Sequence, residues 1–79
     1  MAIRSIDGYS SAIAIHLEVN GQKLAVAQVG PETLILRRPA EIPPSSAAVL
    51  VINIDGRIER DQIVLPYGAN MDANLVSYF

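Results

Sequence analysis

Apolar and polar positions alternate along this chain in short runs with a period of two. Over residues 12 to 19, Ile13, Ile15, Leu17 and Val19 fall on one side, and Ala12, Ala14, His16 and Glu18 on the other. That period belongs to a half-buried strand. Asn20-Gly21 follows, a dipeptide that accepts the positive φ angles of a two-residue hairpin turn. Such a turn pairs Leu17 with Leu24 and Ile15 with Val26 on the buried face, and Glu18 with Lys23 on the outer face. The opposite-charge pair contributes about 0.2–1 kcal/mol, so both faces support one register. Ala14 opposite Ala27 then makes a flat, small-residue patch.

Gly30-Pro31-Glu32-Thr33 reads as the next turn, and Leu34, Ile35 and Leu36 as a third strand ending at Arg37-Arg38-Pro39. No ladder can run through Pro43-Pro44, so residues 39 to 46 form a crossing loop. The fourth strand, Ala47 to Ile54, is apolar on both faces, as a central or interface strand is. Asp55-Gly56 repeats the hairpin signal before a fifth strand from Arg57 to Leu65. A strict two-residue turn here pairs Ile52 with Glu59 and Leu50 with Asp61, an apolar–charged conflict. A bulge at Gly56 would shift the pairing, and the sequence leaves both registers open. Pro66 ends the strand, Tyr67 to Asn74 is a loop, and Leu75 to Phe79 is a short final strand. No helical pattern of useful length occurs. The expectation is an all-β protein, a small antiparallel β-barrel or β-roll of five to six strands. It forms one domain over 1–79, with a polar lead-in over 1–11 that turns at Asp7-Gly8, and a C-terminal loop and short strand over 67–79.

Composition adds a constraint. A chain of 79 residues buries only about 60% of its unfolded surface and is marginal alone. It has no cysteine, hence no disulfide, yet 51% of its residues are hydrophobic. Part of that apolar surface is therefore expected to lie against a protein partner, a second copy of the chain by preference, since closed two-fold dimers are the commonest assembly. Val49 and Val51 on the fourth strand, with Tyr78 and Phe79, are the candidate contact residues. Net charge is −2, against nucleic-acid binding, which rests on a strong positive field. The longest apolar run, Ala47 to Ile52, is far short of the ~20 residues that span a bilayer. Met1 to Ser11 lacks the basic-then-apolar pattern of a signal peptide. A bacterial-type cytoplasmic protein is the expectation.

Candidate chemistry is sparse. His16 is the only histidine, and no residues at ligand spacing accompany it. Glu59 and Asp61 alternate with Arg60 as on a solvated strand, without the enclosing pocket an acid–base pair needs. Tyr67, Tyr78 and Phe79 cluster with no base beside them, unlike a nucleotide-stacking platform. No catalytic residue, cofactor or metal site is expected. One constellation remains: Arg37, Arg38, Arg57 and Arg60 are four of the six basic residues, and guanidinium forks suit phosphate or carboxylate.

From Gly21 to Gly68 the order of strands and turns resembles a PilZ-type β-barrel, the fold of bacterial cyclic di-GMP receptors. The stretch that carries the likeness is Leu24-Ala25-Val26-Ala27-Gln28-Val29-Gly30-Pro31-Glu32-Thr33-Leu34-Ile35-Leu36, then Glu41-Ile42-Pro43-Pro44, Ala48-Val49-Leu50-Val51-Ile52 and Asp55-Gly56-Arg57. The resemblance implies a barrel without the ligand motifs. Where the family carries Arg-x-x-x-Arg, this chain offers only Arg4; where it carries Asp/Asn-x-Ser-x-x-Gly, the matching positions are Gln28, Gly30 and Thr33. Tight cyclic di-GMP binding is not expected. The functional expectation is a non-catalytic interaction or assembly module. The alternative is a small-anion or nucleotide sensor built on the four arginines.

Overall fold

The computed structural model describes residues 13–79. The lead-in, with its Asp7-Gly8 turn and Arg4, lies outside them. Six strands follow in chain order: β1 (Ile13–Val19), β2 (Gln22–Val29), β3 (Thr33–Leu36), β4 (Ser46–Ile54), β5 (Arg57–Leu65) and β6 (Leu75–Ser77). All pairs are antiparallel and form one curled sheet in the order β5-β4-β1-β2-β3-β6, a half-barrel without helices among the described residues. Among the described residues no helix is long and apolar enough to cross a membrane. Val64 of β5 and Phe79, just past β6, exchange backbone hydrogen bonds of 2.6 and 2.9 Å. The two edges of the sheet therefore meet at one end of the curl.

Both hairpins form on two-residue turns. Asn20 and Gly21 have φ of 51° and 76°, and Asp55 and Gly56 have 52° and 90°. Positive φ at both central positions matches the right-handed twist of the flanking strands. The first hairpin takes the expected register, Leu17 opposite Leu24 and Glu18 opposite Lys23. The second takes the strict one, with Ile52 opposite Glu59, Leu50 opposite Asp61 and no bulge.

The β1–β2 ladder stops at His16 opposite Ala25, so Ile15 does not pair with Val26 nor Ala14 with Ala27. Sheet geometry is the reason. β2 must also pair with β3, and its register slips between Val26 and Gln28, leaving Ala27 as the extra residue of a bulge. A bulge bends and twists its strand, and here it carries β2 away from β1. In place of a flat alanine patch, a cleft of about 430 Å³ opens between the strands, lined in part by Ala14, Ala27 and Arg37.

The core lies inside the curl. Leu17, Leu34, Leu36, Leu65 and Val76 are sealed within it, together with Val19, Val26, Ala48, Leu50 and Ile63. Ile42, from the proline-rich loop, completes it. Its backbone exchanges two 2.9 Å hydrogen bonds with Ala69, which pins the loop across the open side. Tyr78 packs on the same core, and its hydroxyl donates to the Gly30 carbonyl.

Candidate functional site

The ladders of β1, β4 and β5 continue beyond the level at which β2 departs. β1–β4 pairing runs on to Ile13 opposite Ile54, and β4–β5 pairing to Ile54 opposite Arg57. The sheet is three strands wide here. Cross-strand partners share a face, so the inner face of this section carries Ile13 beside Ile54 and Ile15 beside Ile52. Ile13 is 58% exposed and the other three are half-buried. None of the four belongs to the sealed core; Ile15 alone packs on its margin. The β5 residues on the same face are Arg57, Glu59 and Asp61, all exposed. Among the described residues a two-by-two block of isoleucines thus stands uncapped beside a strip carrying both charge signs. Its other flank is the cleft between β1 and β2, with Arg37 on the rim.

The sequence signal for this surface is the apolar–charged conflict in the second hairpin. Leu50 stays in the core although it lies opposite Asp61, but beyond it every inner-face residue of β4 meets a charge and leaves the core. Ile52 opposite Glu59 and Ile54 opposite Arg57 mark that point.

The outer face of the same strands carries a polar network. His16 (β1) lies opposite Val51 (β4), and Val51 opposite Arg60 (β5). Glu18 ties the outer strands together: the Arg60 Nη1–H donates to its Oε1 at 3.1 Å, and the His16 ring nitrogen Nε2 lies 3.1 Å from its Oε2. A carboxylate only accepts, so this contact requires a proton on Nε2. The network spans β4 over Val51, which is 3% exposed. His16 and Arg60 together hold the Glu18 carboxyl below the usual carboxylate range. A depressed folded-state value stabilises the fold above the pKa of a free glutamate, ~4.3, and that contribution is lost as pH falls through the depressed value. The Glu18 carboxyl titration followed by NMR is therefore expected to lie below that of a free glutamate and to move up in Arg60→Ala. An unmoved titration would show that the contact is not maintained in solution.

The residues singled out from sequence are dispersed. Arg57 and Arg60 project from opposite faces of β5; Arg57 lies 3.8 Å from Glu59, and Arg60 is engaged by Glu18. Arg37 and Arg38 are exposed past the end of β3 and make no ion pair among the described residues. The four arginines do not line one pocket. Of the candidate contact residues, Val51 is buried because β4 is central, bonded to β1 and β5, and its outer face is flanked by His16 and Arg60. Tyr78 is half-buried against the core, Val49 is half-buried, and Phe79 is 76% exposed.

A second cleft, of about 820 Å³, lies where the tip of the first hairpin diverges from the start of β4, between Lys23, Ala47, Val49, Gln62 and Val64. It is wide and open. Among the described residues no group of three or more His, Asp and Glu side chains could hold a metal ion. Comparison with protein-family models, with curated proteins and with solved structures finds no match to this chain.

Proposed function

We propose that this chain is a non-catalytic assembly module that pairs with a second copy of itself through the inner face of its three-stranded section, on a PilZ-like scaffold without the nucleotide motifs. The observation that carries the proposal is the block Ile13, Ile15, Ile52 and Ile54, uncapped among the described residues. Contiguous apolar surface of this kind marks interaction sites in small proteins. The neighbouring β5 strip supports a copy as the partner. Arg57, Glu59 and Asp61 carry both signs along one line, and a two-fold face-to-face contact with its axis across the strands sets the arginine of one copy against an acid of the other. No comparable convergence supports the arginine sensor.

Substitution of matched residues on the two faces tests this. Ile13 and Ile58 are 58% and 57% exposed, in the same three-stranded section, on opposite faces. Ile13→Lys is expected to convert a dimer to a monomer on size-exclusion chromatography with its circular dichroism unchanged, while Ile58→Lys leaves the dimer intact. Equal behaviour of the two variants would refute assembly through the isoleucine face.

A further inference from the structure

We infer that the free edge of β5 over Ile58–Gln62 accepts an antiparallel strand from a different polypeptide, one with basic residues opposite Glu59 and Asp61 and an acidic residue opposite Arg60. The phase of the edge is fixed by the Val64–Phe79 pair. Val64 turns its N–H and C=O away from β4 to bond Phe79. Alternate residues of a strand turn these groups to the same side, so Gln62, Arg60 and Ile58 present theirs outward. Among the described residues nothing bonds to them. Phe79 already occupies the edge at Val64 as an added strand would, so the line is competent for antiparallel pairing.

A second copy is a poor occupant. Two-fold pairing with the axis on Arg60 sets Arg60 against Arg60 and, twice, Glu59 against Asp61. An axis on Glu59 or Asp61 sets two carboxylates face to face. An axis on Gln62 displaces Phe79 from Val64, and one on Ile58 runs into the Asp55-Gly56 turn. Edge charges of this kind block self-pairing, while leaving the backbone groups open to a strand of complementary charge. Strand addition draws affinity from main-chain bonds and selectivity from alternate side chains. The edge shares Glu59 and Asp61 with the strip beside the isoleucine face, but its backbone groups lie apart from that face, and the inference does not depend on dimerisation.

The test uses Ile13→Lys, so that assembly through the isoleucine face cannot interfere, and two blocked peptides read by amide NMR. The first peptide is Thr-Lys-Glu-Lys-Val, placed opposite Gln62 to Ile58; the second, Thr-Glu-Lys-Glu-Val, reverses every charge. The first is expected to shift the amides of Ile58, Arg60 and Gln62 and to bind about tenfold more tightly than the second. Methylating the backbone nitrogens of the first peptide is expected to abolish the shifts. Absence of shifts at millimolar peptide, equal binding of both peptides, or indifference to methylation would each overturn the inference.

Discussion

Gly68→Ala is expected to cost about 3–5 kcal/mol, among the most damaging single-methyl additions available in this fold. Gly68 sits at φ 62°, which an alanine adopts at a cost of about 1–2 kcal/mol. The larger effect is steric. A Cβ there would stand 2.0 Å from the carbonyl oxygen of Ile42 and 2.7 Å from the carbonyl carbon and oxygen of Pro43. Those are backbone atoms, so the loop itself must move. Moving it breaks the paired Ile42–Ala69 hydrogen bonds, about 0.5–1.5 kcal/mol each, and lifts Ile42, 4% exposed, out of the core. Gly21→Ala is the control: φ is 76° there, but no atom lies within 4 Å of the added methyl. Its expected cost is about 1–2 kcal/mol, the conformational part alone. Urea unfolding midpoints at constant m would compare the two. Equal losses would mean that the loop does not depend on the close approach at Gly68.

Leu17→Ala is expected to cost about 2–5 kcal/mol. Leu17 is fully sealed and lies opposite Leu24 on one side and Leu50 on the other, so its side chain joins β2, β1 and β4 in a single row. Its removal leaves a cavity that the flanking ladders, fixed by backbone bonds, cannot close. A domain of this length has of order 4–12 kcal/mol in total, so the variant loses a large share of its stability. Thermal unfolding by circular dichroism reads the effect directly. A loss under about 1 kcal/mol would show that the interior repacks freely.

What could be read from the residues is what local chemistry decides. Asn20-Gly21 and Asp55-Gly56 fix both hairpins, because the turn angles belong to the dipeptides themselves. The ends of β5 likewise follow from its turn and Pro66. What could not be read depends on contacts between distant segments. The departure of β2 from β1 is set by a bulge that exists only because β3 pairs beyond it. Ile42 sits in a proline-rich loop with no strand pattern, and its bridge to Ala69 depends on the missing side chain of Gly68. Glu18 and Arg60 are 42 positions apart, and only the order β5-β4-β1 brings them together over Val51. The four arginines look clustered in sequence, but Arg37 and Arg38 lie past the end of β3, and Arg57 and Arg60 leave opposite faces of β5. For the candidate surface the sequence held one usable sign, the opposition of isoleucine to charge in the second hairpin. It reads as a register conflict until β2 is seen to leave the sheet at that level.

Sedimentation equilibrium of the unmodified chain, from the low to the high micromolar range at neutral pH, tests the central claim most directly. Assembly through the isoleucine face predicts a weight-average mass rising with concentration toward twice the chain mass and levelling there, as a closed two-fold contact requires. A mass that stays at one chain throughout, or that climbs past two without levelling, would contradict it.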